Sequence, residues 1–184
     1  MKIYLYRHGM TPGNVKHQFI GWTDQHLAPE GVAELSKLSA EPKVVYVSPM
    51  LRCKETAGIL FPNAKQIVVP GFKEINFGEF EEKSFEELSG VEKFQAWADS
   101  DQEGVIPGGE IKKDFSARVL KAFWETIAPL DTDEVYTVTH GGTIMAILEA
   151  LSDPHGDYFS WMSKNGHGWA GTWTGEKITN IEKV

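Results

Sequence analysis

Four short apolar runs, Ile3 to Tyr6, Val44 to Val47, Ile67 to Val69 and Val135 to Thr139, constrain the fold of this chain more than any other feature. Each run is nearly continuous rather than alternating and is bounded by turn-forming residues. Strands that are apolar on both faces suit the middle of a parallel sheet with helices above and below. Helical patterns fill the gaps: Val32, Leu35 and Leu38; Phe115, Val119, Ala122 and Phe123; Ile144, Ile147, Leu148 and Leu151. Their three- and four-residue spacing turns one face of each helix inward. Strand and helix alternate, which predicts an α/β sandwich.

Ser48 followed by Pro49 reads as a helix opening, a capping hydroxyl and a first-turn proline, with the helix over 50–60. The acidic stretch Glu79 to Glu87 reads as a solvated segment that runs into a short helix and forms part of a mouth over the site. Gly168 to Trp173 and Lys177 to Ile181 predict a hairpin, with Gly171 introducing a bulge. No internal repeat, linker or low-complexity tract interrupts residues 1–184, so one domain is expected.

A chain of 184 residues hides roughly 70% of its unfolded surface, enough for a core without metal or disulfide staples. The single cysteine, Cys53, has no partner for an internal bridge, which fits a reducing compartment. The segment MKIYLYRHG reaches a charged pair after four strand-like residues, too short an apolar run for a signal peptide or membrane span, and the expected location is cytoplasmic. A net charge of −8 argues against nucleic-acid or anionic-membrane partners, which are met by clustered Lys and Arg. Arginine is scarce, being confined to Arg7, Arg52 and Arg118, so any anion must be handled by a few placed cations.

Arg7, His8 and Gly9 stand where the first strand should end, and ligands of open α/β sheets bind at the carboxyl ends of strands. His140 repeats the arrangement after the strand Val135 to Thr139, followed by Gly141, Gly142 and a helix. Two such strand ends bring two imidazoles to one rim, where the glycines let an anion approach backbone N–H groups. The alternative is a capped turn that needs glycine for its backbone angles. Arg52, in the first turn of its helix, leans its guanidinium over the same rim, or else is a solvated residue paired with Glu55 or Glu41. Arg7, His8, Arg52 and His140 together make a phosphoryl pocket, because forked guanidiniums match phosphate oxygens. Neighbouring cations disfavour imidazolium and keep His8 available as a neutral nucleophile. Glu74, in FKEINFGEF, is a candidate leaving-group acid if Phe72 and Phe77 bury it.

The segments resemble, in order, those of the histidine phosphatase superfamily, which includes cofactor-dependent phosphoglycerate mutases and α-ribazole phosphatases. YLYRHGMTPGN is similar to the opening RHG segment, FIGWTDQHLAPEG to the substrate-side loop, and SPMLRCKETA to the segment of the second arginine. FKEINFGEF resembles the acid-bearing stretch, IPGGE the turn before a long helix, and VTHGGTI the second histidine segment. The resemblance implies a three-layer α/β/α sandwich with a mostly parallel central sheet, phosphorylation of His8, and a phosphate pocket of Arg7, Arg52 and His140. It makes Glu74 the proton donor and then the base for water, and puts Asn14 and Gly141 on the phosphate and Trp22 near the mouth. Neither a cofactor nor a metal is implied; the partner is a small-molecule phosphate ester, and a homodimer is left open.

Two departures stand out. Met10 takes the place of an acidic or amide residue, and EFEEKSFEEL lacks the Glu-Gly after the aromatic. Ile75 stands where the mutase resemblance would call for a cation, and Arg118 reads as a solvated helix residue. The expectation is therefore net hydrolysis of a phosphomonoester through a phosphohistidine on His8, with a mutase or an inactive phosphate-binding module as alternatives.

Overall fold

A computed structural model describes residues 1–184. Its centre is one six-stranded sheet built from β1 (Lys2–Arg7), β2 (Val44–Val47), β3 (Lys65–Val68), β4 (Glu134–Thr139), β5 (Gly168–Trp173) and β6 (Ile178–Lys183), in the order β3-β2-β4-β1-β5-β6. β1, β4, β2 and β3 pair in parallel, and β5 is antiparallel to both β1 and β6. The sheet is thus mixed but mostly parallel. The helices are α1 (Pro12–Val15), α2 (Pro29–Glu34), α3 (Leu51–Leu60), α4 (Phe85–Leu88), α5 (Glu92–Asp99), α6 (Lys112–Thr126) and α7 (Gly141–Leu151).

Alternation along the central strands explains the layering. Ile3 and Leu5 of β1 and Val135 of β4 pack with Phe115, Val119 and Phe123 of α6 and with α7 on one face. Tyr6, Tyr136 and Val138 point the other way, onto Cys53, Ala57 and Leu60 of α3. A strand covered on both sides has no face left for polar residues, so its sequence reads as a continuous apolar run. The hairpin forms with its register shift between Ala170 and Thr172, at Gly171, where a Cβ would stand 2.6 Å from Ile178 Cγ2.

Three expectations need correction. β3 lies at the sheet edge with Ile67 and Val68 exposed, because only β2 flanks it. Val32, Leu35 and Leu38 do not share a helix: α2 ends at Glu34, Val32 is exposed, and Leu35 is already extended. Ser48 and Pro49 do not open α3, whose N-cap is Met50. The Leu51 amide instead donates to Asp24 Oδ1 at 2.8 Å, so a distant loop supplies the cap. No helix is long and apolar enough to cross a membrane.

Candidate active site

β1 and β4 are neighbours in register, Arg7 opposite Thr139, so the residues that follow them emerge side by side. The His8 and His140 ring centroids are 5.1 Å apart and the rings meet at 67°. His8 Nδ1 lies 2.6 Å from Gly9 O. A carbonyl only accepts, so Nδ1 carries the proton and Nε2 keeps its lone pair. That lone pair accepts from Arg52 Nε at 3.2 Å. Next to the His140 ring, Ser48 Oγ is 2.6 Å from Nε2. The serine expected to cap a helix therefore orients the second imidazole. Cys53, packed 3.5 Å from the same nitrogen, is buried and its thiol is pushed up to about 12, which makes it inert packing.

Arg52 is 0% exposed, which excludes the solvated alternative. Glu55 is occupied by His26 and the Leu27 amide, and Glu41 by Lys37. Arg52 Nη2 and Nη1 donate to the carbonyls of Gly21 (2.7 Å) and Thr23 (3.0 Å), so the guanidinium is oriented by neutral acceptors. Arg7 Nη1 donates to Ser163 O at 2.6 Å, while its buried Nε makes no hydrogen bond. Burial, then Arg52 and Arg7, hold the His8 imidazole well below the ordinary histidine value; burial and Arg52, followed by His8 and Arg7, do the same for His140. Both rings are thereby kept neutral.

Glu74 follows β3 through a 3₁₀ turn, Pro70–Phe72, that Thr139 and Thr143 fix by donating their hydroxyls to Phe72 O. Its carboxylate accepts from the amides of Gly142 and Ile75, each at 2.9 Å. Burial nonetheless raises it above the ordinary carboxylate value, outweighing those amides and the two arginines. A Cβ on Gly142 would stand 2.2 Å from Glu74 Oε1, so this glycine makes room for the protein's own carboxylate. Arg118 is not a solvated helix residue. It donates to the carbonyls of Gly71, Lys73 and Glu74 and to both oxygens of Glu110, which brace the acid-bearing loop.

Asn14 closes a capping box with Thr11, and its Oδ1 also accepts from Asn165 Nδ2 at 3.2 Å. It lines a cavity of about 310 Å³ together with Arg7, Glu74 and Gly141. His8, Arg52 and His140 are buried and are not among the residues that line it. Aromatic residues, Phe19, Phe77, Trp97, Tyr158 and Phe159 among them, line the same cavity. Trp22 is not part of the wall: its indole N–H donates to Glu74 O at 2.9 Å, and Lys73 Nζ sits 3.7 Å over its ring.

Sequence reasoning missed several supports. Thr56, one turn beyond Arg52, accepts from the Gly9 amide at 2.9 Å, and Asn165 Nδ2 donates to His8 O at 3.1 Å. Glu81, inside the tract expected to be solvated, accepts from the amides of Gly21, Trp22, Thr23 and Phe77 at 2.8–3.2 Å. The resemblance offered one signal: Glu81 directly follows the aromatic Phe80, where the family has Glu-Gly, and the place of the glycine falls to Glu82, which lies in the left-handed region at φ 61°. The aromatic wall carried no local signal, because its members are scattered in sequence.

The architecture and the paired strand-end histidines define an α/β sandwich with a cationic cluster around two neutral imidazoles. Its family is the histidine phosphatase superfamily (branch 1), to which this chain belongs: the family pattern matches residues 3–176. A 2,3-bisphosphoglycerate-dependent phosphoglycerate mutase of Azorhizobium caulinodans is 31% identical over 168 residues, covering 81% of this chain and 80% of the relative. A phosphoglycerate mutase structure from Thermus thermophilus superposes with a TM-score of 0.77 at 28% identity, covering 100% and 99% of the two chains. The alpha-ribazole phosphatase structure from Shigella flexneri gives 0.79 at 23% identity, covering 97% and 94%, a likeness of fold.

Proposed function

We propose that this protein is a phosphomonoesterase that hydrolyses a small phosphorylated metabolite through a phosphohistidine on His8. The carrying observation is the His8 tautomer, with Nδ1–H bound to Gly9 O and Nε2 facing the Arg52 guanidinium. The phosphoryl group takes the place of Arg52 Nε at that nitrogen. Nε2 attacks phosphorus, the P–O bond to the alcohol breaks, and the departing oxygen takes the proton of Glu74. Arg7, Arg52, His140 and the Asn14 amide hold the equatorial oxygens, and Arg7 Nε is a buried donor with no protein acceptor. Glu74, now a carboxylate, deprotonates water. Attack of that water breaks the N–P bond, releases phosphate and restores His8.

A phosphoglycerate mutase is the second reading, favoured by the Azorhizobium caulinodans relative. Beside the acid, however, the cavity wall carries apolar Ile75, Arg118 is engaged by Glu110, and Lys112, which also lines the cavity, is paired with Glu103. These features favour water over a second anionic substrate as phosphoryl acceptor. The retained, buried Glu74 argues against an inactive binding module, which has no use for an acid. The test is a panel of phosphate esters, including p-nitrophenyl phosphate, assayed on wild type and His8→Ala. Wild-type hydrolysis with a quenched phosphohistidine adduct and retention at phosphorus is expected. Equal rates in the two proteins would overturn the reading, and efficient interconversion of 3- and 2-phosphoglycerate would establish the mutase.

A further inference from the structure

Arg52 lacks the partner a buried arginine ordinarily has. Both Nη groups end on backbone carbonyls, and no carboxylate touches the guanidinium. The carboxylate is one peptide further out. Glu81 Oε1 accepts from Trp22 N at 2.8 Å and Phe77 N at 3.0 Å, and Oε2 accepts from Gly21 N at 3.0 Å and Thr23 N at 3.2 Å. The amides of residues 21–23 thus converge on an anion, while the carbonyls of Gly21 and Thr23 are turned to Arg52. Space is already used up there: a Cβ on Gly21 would stand 1.9 Å from Ile75 O.

We propose that Glu81 is a positioning residue, which fixes Arg52 against His8 through the 21–23 loop and fixes Glu74 through the same loop and Phe77. The inference rests on the reaction proposed above. Direct pairing of Glu81 with Arg52 would orient the guanidinium and also neutralise it. Interposed peptides orient it through polarised carbonyls and leave its charge for the phosphoryl oxygens. The same carboxylate reaches the acid side twice. Trp22, whose amide it binds, donates its indole N–H to Glu74 O, and the Phe77 amide lies three residues beyond Glu74. One anion therefore sets the separation between the arginine above the nucleophile and the loop that carries the acid. The exposed carboxylates of the tract, such as Glu79 on Lys93, make no such contact.

The experiment compares Glu81→Gln, Glu81→Ala and the control Glu79→Gln with wild type. Kinetics on the best ester are paired with the ¹⁵N chemical shift of His8 Nε2 in the free protein, which reports the hydrogen bond accepted from Arg52. Loosening a positioned group costs up to roughly 100-fold, so a fall in kcat/KM of roughly 30- to 100-fold is expected for both Glu81 variants, with Glu79→Gln unchanged. The Nε2 shift should move toward its value in Arg52→Ala; in the Arg52→Ala background Glu81→Gln should leave that shift where it is and keep only the smaller rate loss that runs through Glu74. Folded Glu81 variants that keep the wild-type Nε2 shift would overturn the proposal, as would a Glu81→Gln effect undiminished without Arg52. Should Glu81→Ala fail to fold, the isosteric Glu81→Gln decides. If wild type hydrolyses no ester, the proposed function fails, whereas the Nε2 shift still decides whether Glu81 positions Arg52.

Discussion

His8 and His140 end adjacent parallel strands, and each is followed by glycine, yet the two positions are built for different tasks. His8 spends its Nδ1 proton on the carbonyl of its own neighbour, so Nε2 is unprotonated and turned to a guanidinium. His140 has Nε2 against Ser48 Oγ and Sγ of Cys53, and is the N-cap residue of α7. The glycines differ as well. A Cβ at Gly9 would meet the flexible end of Leu35 at 2.8 Å and Gly31 O at 3.2 Å, whereas one at Gly142, the second residue after His140, would stand 2.2 Å from Glu74 Oε1. Equivalent places in a sheet thus acquire different chemistry from the layer of partners behind them.

Removing each imidazole in turn separates the two roles most strongly. His8→Ala should lower kcat by roughly 10⁴-fold or more and abolish the adduct, because no other group supplies the attacking lone pair. His140→Ala should cost about 10²–10³-fold and leave the adduct detectable by quenched mass spectrometry, as for loss of one stabilising donor. Equal losses with no adduct in either variant would erase the distinction.

The pH dependence of the reaction joins His8 to Glu74. In the proposed reaction His8 must be neutral; its pKa is held well below 6.5, so the acid limb of kcat/KM is expected below 6.5. Glu74 must be protonated and is raised above 4.5, so the alkaline limb lies above 4.5. A bell-shaped profile bounded by these two limbs is expected. Glu74→Gln should lose roughly 10²–10⁴-fold with alkoxide leaving groups, and the alkaline limb should vanish from the pH–rate profile. Stability follows the same shifts. Where histidine is charged only in the unfolded chain, below 6.5, the unfolded state binds more protons, so His8 and His140 make the fold less stable as pH falls toward their folded values. Glu74 acts oppositely, costing stability as pH rises from 4.5 through its raised value.

Gly142→Ala should reduce kcat/KM by about 10²-fold by displacing Glu74, while Gly9→Ala, which meets a movable leucine, should lose roughly tenfold or less; steady-state kinetics on both variants checks the order. The smallest effect is expected from Ser48→Ala. It frees the His140 ring and leaves His8 untouched, and should cost roughly 3- to 10-fold in kcat, with the ¹⁵N signals of His8 unchanged.

The apolar runs of β1, β2 and β4, the helical faces of α6 and α7, and the bulged hairpin could all be read from sequence, since burial on two faces, 3.6-residue periodicity and glycine are local properties. So could the placing of His8, Arg7, Arg52 and His140, because strand ends and a helix first turn carry them, and Glu74 as a loop residue beyond β3. Their roles as partners were not legible in the same way. Ser48 looked like a cap until β2 brought it beside His140, and Arg118 looked solvated until Glu110 and the 71–74 carbonyls surrounded it. Glu81 looked like one charge in an acidic run, although it binds amides 58–60 positions away.

The layered α/β class and the candidate residues for phosphoryl chemistry are legible in the sequence by itself, because periodicity and side-chain chemistry belong to each residue where it stands. Tertiary structure decided which tautomer His8 takes, which carbonyls aim Arg52 and how far burial lifts Glu74. Hydrogen-bond direction and desolvation depend on groups that meet only when distant segments close on one another.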